Sequence, residues 1–208
     1  MGWMCSWVAV QGVAKGEILA VLDLVETGEQ VEPGSRRRGL SCLERPNGWT
    51  VVFSEDFEWA DRKRVLALSQ LGLVVGCQFE DKVEMASIAS AAKDGVELWR
   101  VAHVNDPIYR LDVSGEPPAE LAGIREKFFR EQDEDGGDKS SVDYISDIPL
   151  EVAKAACGYR ADDEEALFSV LEPAGKATTT ASSAGAIAGT PVRRGLLGGL
   201  LGLFGDRR

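Results

Sequence analysis

Between Leu73 and Val113 the chain carries four strand-like runs in close succession, and any fold must place them side by side. They are Leu73 to Phe79, Val83 to Ala92, Val96 to Val104 and Tyr109 to Val113, with Asp94-Gly95 and Asp106-Pro107 separating the last three. A two-residue Asp-Gly connection between β-type runs is a strong hairpin signal, because both central positions of a type I′ turn need positive φ. With Asp94 and Gly95 as the loop, Lys93 pairs with Val96, and unbroken alternation then sets Ser90 opposite Trp99, Ile88 opposite Val101 and Ala86 opposite His103. One face of this hairpin would carry Ile88, Trp99, Val101 and His103, and the other Met85, Ala89, Ala91, Leu98, Arg100 and Val104. Both are largely apolar, so the hairpin is expected at the centre of an antiparallel sheet covered on both sides. Met85 to Ala92 also suits a helix, since Ala is the best helix former.

The flanking sequence supplies further strands and the helices to cover them. Trp3 to Gln11 reads as a first strand ending at Gly12. From Lys15, the spacing of Ile18, Leu19, Val21, Leu22 and Val25 predicts a helix that stops near Gly28. Glu29 to Arg38, with Pro33-Gly34 and the run Arg36 to Arg38, reads as a loop that could hold an anion but more simply is a solvated charged segment. Gly48 to Phe53 is a strand. Ser54, Glu55 and Asp56 then supply cap candidates for a helix that turns Trp59, Val65, Leu66, Leu68 and Leu71 inward. Pro117-Pro118 leads a helix with Leu121, Ile124, Phe128 and Phe129 inside, and Asp147 caps another from Pro149 to Cys157 that stops at Gly158. Asp162 to Glu165 looks like a further acidic helix start, leading into Ala166 to Leu171.

The expected fold class is therefore α+β, a mixed but mainly antiparallel sheet with helices packed on it. Residues 1–172 form this domain, 173–192 an Ala/Ser/Thr/Gly linker too poor in large apolar residues to pack a core, and 193–208 a Leu/Gly-rich basic tail.

Charge narrows the function. Of the net −11, residues 191–208 contribute +3, so the remainder carries −14. Such a body lacks the positive face that sequence-independent nucleic-acid binding needs. Cys5, Cys42, Cys77 and Cys157 are too widely spaced for a zinc knuckle or a redox pair, and the first residues lack a basic, apolar leader, so free thiols in a reducing cytoplasm are expected. Gly2 with Ser6 fits a bare myristoylation pattern, but Trp3 is bulky beside the acceptor glycine and the stretch serves better as a strand. No glycine-rich phosphate cradle lies between a strand and a helix, and no cofactor is implied. A calcium loop through Glu131, Asp133, Asp135 and Gly136 would place Val142 where a bidentate carboxylate is required, so no metal site is assigned.

Two stretches remain as candidate binding elements. The first is Trp99, Arg100 and His103 on one strand, His103 being the only histidine and hence the residue any histidine-dependent hydrolase or transferase would have to use. Beside apolar strand neighbours, its plainer role is a hydrogen-bonded structural one. The second is the tail, where Leu200, Leu201, Leu203 and Phe204 stand between pairs of arginines at the end of the linker. It is too short to span a membrane. It suits an anionic membrane surface or a protein groove, or it folds back on its own domain. Leu200 to Phe204 resembles peptides that bind the bacterial replication clamp, without their leading glutamine.

Trp3 to Gly12, Leu98 to His103, and Asp143-Tyr144 running into Pro149 to Lys154 together resemble a set of uncharacterised bacterial cytoplasmic proteins, over roughly residues 1–170. The resemblance implies a bacterial cytoplasmic protein and transfers no activity; in such a cell the anionic surface that the tail suits is the inner membrane. By class analogy with small acidic α+β proteins, the expectation is a non-catalytic adaptor or immunity-like interaction module. The alternative is a small hydrolase or transferase using His103. A cleft beside Trp99, Arg100 and His103 would favour the alternative.

Overall fold

The computed structural model describes residues 4–32, 39–81, 86–105, 107–162 and 166–175. Its centre is the first strand, β1 (Met4–Gln11), in which every residue from Cys5 to Val10 is buried. A strand apolar on both faces belongs between two cores, and β1 sits there, pairing with β4 (Trp49–Ser54) on one side and β5 (Val74–Glu80) on the other. With β2 (Leu24–Val31), β3 (Leu40–Glu44), β6 (Ala86–Lys93), β7 (Val96–Val104), β8 (Leu111–Gly115) and β9 (Phe168–Pro173), the described residues form a nine-stranded sheet in the order β2-β9-β3-β4-β1-β5-β6-β7-β8, and every pairing among them is antiparallel. The fold is α+β.

The hairpin at Asp94-Gly95 forms as expected, with φ of +53° and +76° at the two loop residues and Lys93 opposite Val96. Its register then departs from simple alternation. A bulge at Ala91/Ala92 leaves Leu98 unopposed, so Ala91 faces Trp99, Ala89 faces Val101 and Ser87 faces His103. One extra residue moves β6 to the opposite face. Ala89 and Ala91, not Ile88, therefore share a face with Trp99, Val101 and His103. The hairpin is also not central, since β7 is the last strand but one and β8 forms the edge. Pairing with β5 on one side and β7 on the other overrides the helix propensity of the alanines in β6.

Three strands were not expected. The helix α1 (Lys15–Leu22) ends earlier than its apolar spacing suggests, at Asp23 in the left-handed conformation (φ +54°), and Val25 and Gly28 belong to β2. β3 occupies a stretch too short to show alternation. Phe168 to Pro173, predicted as a helix behind an acidic start, is β9, threaded between β2 and β3. Arg36 to Arg38, the linker beyond Gly175 and the tail lie outside the described residues.

Helices pack on both faces. α1 and α2 (Arg62–Leu68) cover Val8, Val10, Val52 and Val74 through Ile18, Leu19, Val65 and Leu68. Asp61 caps α2, its carboxylate accepting from Arg64 N–H at 2.8 Å. The cap falls later than Ser54 to Asp56, so Trp59 lies before the helix. On the opposite face, α3 (Leu121–Glu134) and α4 (Asp147–Cys157) cover Trp7, Val75, Cys77, Ala89, Ala91, Trp99 and Val101. α4 rests on β5, β6 and β7, where the small side chains of β6 admit a close approach. Gly158, left-handed at φ +75°, ends α4 and delivers Tyr159 edge-on to Trp7 at 4.9 Å.

Candidate functional site

His103 is delivered by β7 to the inner face, beneath the connection between α3 and α4, and its side chain is completely buried. Nδ1 lies 2.7 Å from the carbonyl oxygen of Arg110, just before β8, and Nε2 lies 2.8 Å from Oδ2 of Asp143. A carbonyl can only accept, so Nδ1 carries a hydrogen. A second hydrogen must lie between Nε2 and the carboxyl oxygen, because two lone pairs facing one another in an apolar interior would repel. The ring thus ties three segments together: β7, the β7–β8 connection and the approach to α4.

Asp143 is itself held. Its Oδ1 accepts from Ser146 N–H at 3.1 Å, and Ser146 Oγ donates back to the Asp143 carbonyl at 2.7 Å, which fixes the turn entering α4. The cap position of α4 is Ser146, without a side-chain capping bond; Asp147, predicted in that role, is the first helical residue and pairs with Arg160. Gln132, fully buried near the end of α3, donates to the carbonyls of Gly137 (2.8 Å) and Val142 (3.1 Å) and accepts from Tyr144 N–H (2.9 Å). The loop that presents Asp143 is therefore pinned at several points. Ser87 stands directly opposite His103 on β6, wholly buried, and its Oγ has no hydrogen-bond partner among the described residues.

The three residues grouped from the sequence do not converge. Trp99 shares the inner face with His103 and is buried, while Arg100 points to the other face, between Ser90 and Ser114. No cleft joins them, His103 being only 1% exposed and Trp99 6%. Leu200, Leu201, Leu203 and Phe204 lie outside the described residues.

The other candidate chemistry is also engaged structurally. All four cysteines are buried and free. Burial, then the neighbouring Cys77, raises the Cys5 thiol well above its ordinary range, and burial followed by Cys157 does the same to Cys77. Cys42 and Cys157 are pushed up to about 11, chiefly by burial. A nucleophilic thiolate needs the opposite shift. In the acidic run that closes α3, Asp133 accepts from Tyr109 and Asp135 from Ser140, and no group of three metal-ligating side chains occurs among the described residues. Ser6 holds the strand to the loop before α2, its hydroxyl donating to the Asp56 carbonyl and accepting from Ala60 N–H.

A cluster overlooked in the sequence surrounds Arg160. Its guanidinium binds Asp147 and Glu151 of α4 at 2.6 Å each and Asp162 at 2.7 Å. Burial raises Asp147 above the usual carboxylate range, against the pull of Arg160. The Glu151, Arg160 and Asp162 spacing carries no local signature, because α4 must first turn back at Gly158 to bring them together. Asp143 had a fainter signal: an Asp three residues before a Ser, just ahead of a proline-led helix, is the chemistry of a side-chain-closed turn.

Among the described residues no helix is long and apolar enough to cross a membrane. Comparison with protein-family profiles, with curated proteins and with solved structures yields no match to this chain.

Proposed function

We propose that this chain is a non-catalytic protein-interaction module, of adaptor or immunity-like type, whose tail at 193–208 engages a partner protein or an anionic membrane surface. The observation that carries the proposal is the engagement of His103 at both ring nitrogens, inside the core, by groups that hold the fold together. A general base needs a nitrogen free to take a proton from a nucleophile. Here one nitrogen donates to a backbone carbonyl and the other is closed by a carboxyl group. The tail supplies the binding element: five apolar side chains in Leu196, Leu197, Leu200, Leu201 and Leu203, followed by Phe204, flanked by four arginines in an otherwise acidic chain. On an anionic surface each arginine would add roughly 1 kcal/mol to the burial of those side chains.

Deleting residues 191–208 tests this. The truncated protein should keep its melting temperature while losing binding to vesicles containing anionic lipid, or losing a pulled-down protein that the full chain retains. Loss confined to vesicles identifies the membrane, and loss confined to the pull-down identifies a protein. A truncated chain that melts substantially earlier would assign the tail to the domain itself and remove the proposal's main support.

One observation favours the second reading, a hydrolase or transferase using His103: the hydroxyl of Ser87, without a partner among the described residues, directly opposite the histidine–aspartate pair. For Ser87 to act as a nucleophile, the ring would have to release the Arg110 carbonyl or Asp143. A fluorophosphonate probe that labels the wild type but not Ser87→Ala would establish that reading.

A further inference from the structure

The sheet has two edges, and they differ. β2 is interrupted by a register shift between Glu26 and Gln30, around Gly28 at φ +85°, and carries Glu26 and Glu29. Bulges and charges of this kind blunt an edge against pairing. β8 has no register shift: its pairing with β7 runs unbroken from Leu111 until the strand ends at the left-handed Gly115 (φ +70°), and Val113 is 45% exposed.

The ladder also fixes which backbone groups of β8 face outward. Glu116 N–H donates to the Leu98 carbonyl at 3.1 Å, so Glu116 turns its N–H toward β7. The ladder across the sheet agrees: Gln11 N–H bonds to the Leu73 carbonyl, so Val74 turns to Ala92, Ala91 to Trp99, and Arg100 and Ala102 to Ser114 and Asp112, which leaves the N–H and C=O of Val113 and Leu111 directed away from the sheet. A strand with outward groups at alternate positions can accept another strand of the same kind.

We infer that β8 pairs antiparallel with β8 of a second copy of this chain, about a two-fold axis at Val113. In that register Val113 exchanges two backbone hydrogen bonds with its symmetry mate, and the two side chains meet on one face. Asp112 falls opposite Ser114 of the partner, and one step beyond the strand Arg110 falls opposite Glu116, so opposite charges meet twice and like charges never do. Arg110 already holds Asp112 within its own strand at 2.9 Å, which keeps its guanidinium on the face where Glu116 would approach. The N–H of residue 117 would also point outward, but this residue is Pro117, which limits pairing to the span between Arg110 and Glu116. An edge this short buries little area, so the dimer should be weak and readily reversible. The inference is independent of the tail.

Sedimentation of the full-length protein between about 1 and 500 μM tests it across the range expected for such an edge. A reversible monomer–dimer equilibrium is expected. Val113→Pro removes an outward N–H without touching the β7–β8 ladder, and Val113→Lys sets two ammonium groups against each other; each should weaken the dimer at least roughly ten-fold. Arg110→Glu should weaken it as well, and adding Glu116→Arg should restore it. A protein that stays monomeric throughout overturns the inference. So does a dimer unmoved by Val113→Lys, which would place association elsewhere, and a double charge swap that fails to restore pairing overturns the register.

Discussion

Replacing His103 with alanine removes one donor from the part-buried Arg110 carbonyl and one from the buried Asp143 Oδ2, in a site where the ring is entirely enclosed. Breaking a buried pair by removing one partner costs about 3–5 kcal/mol, because the remaining charge is left uncompensated. The orphaned carbonyl and the empty ring volume act in the same direction without being additive. Since domains of this kind have only about 5–15 kcal/mol of net stability, the variant should be severely weakened. Asp143→Asn separates the mechanism from general damage to the core. Its amide oxygen still accepts from Ser146 N–H and its NH2 can donate to a bare Nε2, so the cost should be about 1 kcal/mol or less. Urea denaturation at neutral pH, followed by tryptophan fluorescence and circular dichroism, measures both. The reasoning fails if His103→Ala stays within about 1 kcal/mol of wild type, or if Asp143→Asn is equally damaging.

Three further outcomes follow from the packing. Arg160→Ala should cost about 1–3 kcal/mol, less than a fully buried pair because Glu151 and Asp162 are partly exposed, and Arg160→Lys should recover little, since one ammonium cannot serve three carboxylates in a fork; paired urea titrations decide. Gly76→Ala would bring a Cβ to 2.5 Å from Val65 Cγ2 of α2, so a loss of about 1–3 kcal/mol is expected in thermal melts, relieved when Val65→Ala is added. The buried thiols stay protonated in the fold after the unfolded chain has begun to ionise near its ordinary 9, so their stabilisation is complete below that pH and is lost as pH rises toward about 11; the decline should be shallower in Cys157→Ala, and thiolate absorbance in the native protein below pH 10 would contradict it.

The α+β class and most of its strands are legible in local sequence, because alternation, the Asp94-Gly95 turn and the glycine stops are short-range signals. The face assignments around His103 were not, since a single bulge at Ala91/Ala92 reverses β6 and no residue there announces it. β9 was hidden for a different reason. Ala166 to Leu171 has a helical composition, and only the gap between β2 and β3, made by segments more than a hundred residues earlier, draws it into the sheet. His103 was found because it is unique, but its partners lie 7 and 40 residues away and meet only when α3 and α4 fold over β7. Trp99 and Arg100 were grouped with it by proximity in sequence, which in a strand places neighbours on opposite faces.

Because the chain has one histidine, its ring nitrogens can be observed without ambiguity. A long-range nitrogen–proton NMR spectrum of the native protein should show Nδ1 protonated, and a second proton bridging Nε2 and Asp143, both exchanging slowly with water. A ring with an unprotonated Nδ1, or with protons that exchange freely, would show that the imidazole is available for chemistry and would contradict its role as a structural tie.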